Sequence, residues 1–354
     1  MEYDYYGLVC YRNKIKSKTM DGLKIYICAE FREGPWGGGN QFLKALRGCF
    51  RKKECYVEKP VKADVILFNS HHLLGKVTNL KKRFPDKIFV HRVDGPLFNT
   101  RGEIGRSTDR KIFLYNKYLA DGTIYQSEWS RNKSYQYGLK KNHFETCIMN
   151  APDPSLFYPS KRQVINNTNK SKKYKLIATS WSDNPRKGFD LYSFLDNNLD
   201  TDRFEMSFIG NSPFQYNTIR HLSPMPSLKL ADELRRHDLF ITASISDPCS
   251  NSLIEAMHCG LPAVVKNSGG HPEILGKGGE LFNGPEDIIR KIEKVSDNLY
   301  DYSKNISVPN MNEISQKYYS FCENIYVTAK QGYSDIKKIN YFDYIKLRMK
   351  TLPD

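Results

Sequence analysis

Apolar positions fall into short β-rich runs separated by longer stretches with helical spacing, and this alternation begins near residue 23. Runs at 23–29, 65–69, 88–93 and 122–126 predict strands, most of them followed by glycines and polar residues. After a break at Asn150-Ala151-Pro152-Asp153-Pro154 the pattern resumes at 176–179, 205–209, 239–243 and 263–266, and it turns helical after Phe282. This order predicts βα units around parallel sheets, in which ligands sit outside the carboxyl ends of the strands. The expected organisation is a Rossmann-like first domain over 1–158, a basic linker over 159–174, a second Rossmann-like domain over 175–325 and a helical tail over 326–354.

Composition narrows the class. The 354 residues suffice for two domains, and 40% hydrophobic with 13% aromatic residues excludes wholesale disorder. No apolar run approaches the roughly 18 residues of a bilayer span. Residues 1–6 offer neither the basic nor the apolar region of a signal peptide, so a cytoplasmic protein is expected. The eight cysteines, at 10, 28, 49, 55, 147, 249, 259 and 322, form no Cys-x-x-Cys pair, and reduced, mostly buried thiols are expected in place of metal or redox work.

The net charge of +15 favours phosphates, nucleic acid, anionic lipid or acidic substrates without choosing among them. Its distribution says more: residues 160–175 carry +6 and residues 336–350 carry +4. No nucleic-acid motif accompanies it, so no nucleic-acid partner is expected. In 336–350 apolar and basic residues are interleaved. They suit either an interfacial helix on an anionic membrane or a helix packed back across the first domain.

The stretch Ser246-Asp247-Pro248-Cys249-Ser250-Asn251-Ser252 carries the most chemistry. A strand enters it, and a helix beginning near Ser250 leaves it, to stop at Gly260 and Pro262. Ser250, Asn251 and Ser252 put free N–H groups and small hydroxyls at a helix N-terminus, which suits a phosphate. Asp247 and Glu255 flank that point. Carboxylates beside a diphosphate make electrostatic sense only if they hold neutral hydroxyls, such as those of a ribose and a sugar ring. Arg186 and Lys187, after the first strand of the same half, can neutralise a diphosphate; alone they would equally be a solvated turn.

These residues resemble the retaining nucleotide-sugar glycosyltransferases of family 4 (group 1), which have the GT-B architecture. The family's carboxylate, seven residues, Glu, then Ala-Met-x-x-Gly-x-Pro is matched by Asp247, Glu255, Ala256, Met257, Gly260 and Pro262. Ser268-Gly269-Gly270-His271-Pro272-Glu273-Ile274 resembles its glycine loop near the donor sugar, Arg186-Lys187-Gly188 its phosphate-binding Lys-Gly, and Phe208-Ile209-Gly210 its turn beside the nucleotide. Asn150-Ala151-Pro152-Asp153 and Phe157-Tyr158-Pro159 resemble its interdomain motif, and Gln126-Ser127-Glu128-Trp129-Ser130 its Ser-x-x-Ser segment upstream.

The resemblance implies two Rossmann-like domains facing across a cleft, with the C-terminal helix returning to the first. It implies a hexosyl transfer to a glycan, glycolipid or glycoprotein precursor, with a nucleoside diphosphate sugar as donor and no metal or other cofactor. Glu255 would hold the ribose hydroxyls, Asp247 a donor-sugar hydroxyl, the amides near Asn251 and Ser252 the distal phosphate, and Arg186 and Lys187 the leaving diphosphate. Two positions depart from the pattern: Asp247 stands where Glu is usual, and Ser182 where an Arg usually precedes the Lys. A non-catalytic scaffold of the same fold therefore stays open, as does a basic nucleic-acid-binding protein.

In the first half, Gly37-Gly38-Gly39 between strand and helix lets backbone amides approach a phosphate or sugar. His91 and Asp94, at the end of another strand, are candidates for the acceptor side, and His71-His72 sits at a similar strand end.

Overall fold

The structure, a computed structural model, describes residues 22–32, 38–159 and 173–350. The first half runs β1 (Ile25–Cys28), α1 (Gly38–Lys52), β2 (Val65–Asn69), α2 (Leu74–Arg83), β3 (Ile88–Val93), α3 (Phe98–Leu119), β4 (Gly122–Tyr125), α4 (Glu128–Gln136) and β5 (Phe144–Cys147). The second runs β6 (Tyr174–Ser180), α5 (Phe189–Asn198), β7 (Phe204–Gly210), β8 (Arg220–Leu222), α6 (Ser227–Arg236), β9 (Leu239–Thr242), α7 (Asn251–His258), β10 (Ala263–Lys266), α8 (His271–Leu275), β11 (Gly279–Phe282), α9 (Pro285–Asp297) and α10 (Leu299–Lys304). Then come α11 (Met311–Lys330) and α12 (Tyr341–Met349). Of the expected basic linker, 160–172 lies outside the described residues, and β6 already begins at Tyr174.

Two parallel sheets result, ordered β1-β2-β3-β4-β5 and β11-β10-β9-β6-β7-β8. Their central strands are buried on both faces. Val65-Ile66-Leu67-Phe68 and Leu239-Phe240-Ile241 therefore read as unbroken apolar runs without alternation. The strands that the apolar pattern does not announce are β5, β8 and β11, all of them sheet edges. An edge is half-exposed, so β5 can carry Glu145 and Thr146, and β8 Arg220 and His221, without a buried polar cost.

The chain returns to the first domain earlier than expected, at Met311 and not near 326. In α11, Met311, Ile314, Tyr318, Cys322 and Ile325 repeat at three- and four-residue spacing and join the core formed by β1–β4 and α1. On the opposite face of that sheet, Leu347 of α12 packs with residues of α2 and α3. The segment before α12 is fastened by Asp121. Its buried carboxylate takes Lys81 Nζ at 3.0 Å, Phe89 N at 2.7 Å and Lys337 N at 2.7 Å. The seven cysteines among the described residues are unpaired, six of them buried. Among those residues no helix is long and apolar enough to cross a membrane.

Candidate active site

The carboxyl ends of β6, β7 and β9 open on a cavity of about 270 Å³, closed from the other side by the start of α1. Its lining includes Lys187, Asp247, Asn251, Ser252, Glu255 and Gly210 from the second domain, and Gly38 and Gln41 from the first. Among the described lining residues Lys187 is the only cation.

Local sequence accounts for much of this. Asn184 caps a 3-10 turn, Pro185–Lys187, by accepting from Arg186 N at 2.8 Å, and Gly188 leaves the turn at φ 74°. The Arg186 carbonyl accepts from Ile245 N at 2.7 Å, which ties the lysine turn to the loop carrying Asp247. Lys187 Nζ then lies 3.2 Å from Asp247 Oδ2. Burial would raise the Asp247 carboxyl, but Lys187 first, then His271 and the Cys249 N–H, outweigh it and hold it below its ordinary value.

Glu255, more than one turn into α7, faces the cavity with no hydrogen bond or ion pair among the described residues. Burial alone pushes its carboxyl up to about 8. Such a group, lacking a partner of its own, is suited to a ligand that can donate to it.

Two helix N-termini meet at the cavity. Ser250 is the cap of α7, accepting from Leu253 N at 3.4 Å with its Oγ 3.1 Å from Ser252 Oγ, so its hydroxyl serves the helix and not the cavity. The amides of Asn251 and Ser252 lie in the open first turn. Opposite stands α1, so close that a Cβ on Gly38 would fall 2.1 Å from Asn251 Nδ2.

Several expected site residues stand behind the cavity instead of in it. Gly269, at φ +65°, would drive a Cβ to 2.2 Å from the Asp247 carbonyl oxygen, and Gly270 N donates to that oxygen at 2.9 Å. The glycine loop thus shapes the backbone of Asp247. Gly269→Ala is expected to cost about 2 kcal/mol through left-handed strain and this clash; an unchanged melting temperature would refute the packing described. Arg186 is exposed beside Lys187 and supplies its backbone, and Gly39 has open space around it.

His91 needs the plainest correction. It is fully buried, stacked on Phe68 at 4.2 Å, with Nε2 2.9 Å from the Ser70 carbonyl and Nδ1 3.1 Å from Asn116 Nδ2, and burial lowers its pKa to about 4. It is a neutral core residue because its strand is central in the sheet. Asp94 lies at the strand end, half-buried, accepting from Arg92 Nη1 at 2.7 Å and from Gln126. It does not line the cavity. His71 lies against His72 with the rings tilted by 31°, and its pKa is likewise lowered to about 4, chiefly by burial.

The resemblance marked Asn150 as interdomain, but sequence reasoning missed Arg92 behind it and the bonds that join the domains. Arg92, fully buried, donates to Asn69 Oδ1 at 2.5 Å and Asn150 Oδ1 at 2.7 Å. Asn150 in turn donates to Gln126 Oε1 at 2.9 Å and, across the cleft, to Asn251 Oδ1 at 3.0 Å. Glu273 accepts from Glu128 N and Trp129 N, both at 2.8 Å, so a second-domain carboxylate caps the first-domain helix α4. Thr179 and Ser180 at the end of β6 with Trp181 and Ser182 after it, and Pro224, Met225 and Leu230 in and just before α6, also line the cavity. The rule that ligands lie at strand carboxyl ends could have found the first group; nothing in the pattern announced the second.

Residues 202–298 match the family model described as Glycosyl transferases group 1. A sulfoquinovosyl transferase, SQD2, of Arabidopsis thaliana is 30% identical over 109 residues, 27% of this chain and 21% of the relative. The chain thus spans about a fifth of that relative's length. Among solved structures, Anabaena Alr3699/HepE in complex with UDP-glucose superposes with TM-score 0.63 at 16% identity, over 87% of this chain and 100% of that one. The catalytic domain of starch synthase IV from Arabidopsis thaliana, bound to ADP and acarbose, gives 0.65 at 11%, over 86% and 100%. A sucrose-phosphate synthase from Thermosynechococcus elongatus gives 0.60 at 12%, over 88% and 98%. Residues 202–298 are therefore similar to a group 1 glycosyl transferase domain, within a chain that has the GT-B fold of these structures.

Proposed function

We propose that this protein transfers a sugar from a nucleoside diphosphate sugar to an acceptor hydroxyl, with retention at the anomeric carbon and without a metal. The observation that carries the reading is the meeting of Lys187, Asp247, Glu255 and two helix N-termini around one cavity. Glu255 accepts from the ribose hydroxyls, and the α7 amides at Asn251 and Ser252 hold the distal phosphate. Lys187 meets the charge that grows on the leaving diphosphate, with Asp247 steering it and accepting from a donor-sugar hydroxyl. The bond from the anomeric carbon to the phosphate oxygen breaks, the acceptor oxygen bonds to that carbon from the same face, and its proton passes to the departing phosphate. No protein base is required for that step. Asp94, on the first domain, is the remaining candidate to orient the acceptor, a glycan, glycolipid or glycoprotein precursor.

The relatives carry UDP-glucose in one case and ADP in another, so the base is an open choice within the fold. A melting screen against UDP-, GDP-, ADP- and dTDP-sugars tests the reading. One donor class at about a hundred times its Kd should stabilise the fold by about 2.7 kcal/mol. No shift with any donor, and no slow donor hydrolysis, would leave a non-catalytic scaffold as the better account.

A further inference from the structure

A surface helix ordinarily turns its apolar stripe inward, and α12 does the opposite. Only Leu347 is buried, whereas Tyr341, Phe342, Ile345 and Met349 are 64%, 82%, 37% and 62% exposed. Tyr341, Ile345 and Met349 succeed one another at four-residue intervals and form one outward row; Phe342, Lys346 and Lys350 form the row beside it. The helix is held in this pose. Tyr115 donates its hydroxyl to the Leu347 carbonyl, Tyr344 bonds Asn79 Oδ1 at 3.0 Å, and Asp121 anchors the preceding segment at Lys337.

We infer that α12 is a docking surface for an anionic lipid bilayer. Charge selects this occupant over a second protein. Lys346, Arg348 and Lys350 fringe the apolar row against one carboxylate of the helix, Asp343 in its first turn; the neighbouring end of α2 adds exposed Lys82 and Arg83, and the exposed Asp86 beyond it is paired with Lys338. Rings and aliphatic side chains flanked by lysines are suited to lie at the headgroup boundary, the apolar parts immersed and the ammonium groups on the phosphates. The surface belongs to the first domain, so α3 connects it with the cleft: its last turns pack on α12, and its Thr100 carbonyl accepts from Asn184 of the second domain at 3.1 Å. This inference does not depend on the donor chemistry proposed above.

Flotation of the full chain with phosphatidylcholine vesicles, with and without about a third phosphatidylglycerol, tests it. The protein should float with the anionic vesicles, less so in high salt. Phe342→Ser/Ile345→Ser/Met349→Ser should weaken partition about tenfold or more, and Lys346→Glu/Lys350→Glu should abolish the preference for anionic lipid. Unchanged melting and unchanged nucleotide-sugar binding would show that both variants are folded. Equal flotation with neutral and anionic vesicles, retention of binding by both variants, or a concentration-dependent dimer dissolved by the serine variant would overturn the inference.

Discussion

Replacing Lys187 by alanine is expected to slow sugar transfer by about 10²–10³-fold, the loss typical when one preorganised donor to developing charge is removed. The expectation is this large because no second cation among the described lining residues shares the work: Ser182 stands where the family has an Arg, and Arg186 is turned to solvent. Donor affinity should fall less than turnover, since the charge on the leaving phosphate grows only as the bond breaks. Stability should change by about 1 kcal/mol or less. The 3.2 Å pair with Asp247 is partly open to water and stands on a turn fixed by backbone bonds. Steady-state kinetics of the variant beside its melting curve separate the two effects. Equal turnover in variant and parent would remove Lys187 from the reaction.

Glu255→Gln should stabilise the unliganded fold at pH 8–9 while abolishing tight donor binding. The folded carboxyl titrates at about 8 against an ordinary 4.5, so between these values the folded protein holds a proton that the unfolded chain has released. Stability contributed by the protonated group is thus complete below about 4.5 and is lost as pH rises through about 8. One pKa unit corresponds to about 1.4 kcal/mol; because the cavity is open to water, the realised penalty is about 1–3 kcal/mol. Glutamine cannot ionise and should melt several degrees higher at pH 8.5, with little difference near pH 5. In the parent protein, donor hydroxyls favour the ionised form, so donor affinity should rise with pH up to about 8. A glutamine variant that melts no higher in alkali, or binds donor as tightly, would contradict the role given to Glu255.

Legibility followed the range of the interaction. The α7 N-terminus could be read because capping and strand-to-turn signals act within a few residues: Ser250 to Leu253, and Asn184 to Arg186. The same local view misread His91. A histidine at a strand's end looks chemical in one dimension, whereas Phe68 and Ser70 on one side and Asn116 on the other enclose it in three. The glycine loop was recognised as part of the site, but its task is to admit the backbone of Asp247, a contact that only the folded loop reveals.

The amino-acid sequence by itself determined the alternating strand and helix order, the central buried strands and the residues that meet at the α7 N-terminus. Each depends on period, propensity and neighbours one or two turns away. The tertiary structure decided which cation faces the cavity, how Asn150 and Asn251 or Glu273 and α4 join the domains, and where the tail turns its rings. Glu273 and the α4 amides stand 145 residues apart in the chain. No local pattern encodes such a pairing, because it depends on the relative placement of two sheets that each fold around a separate core.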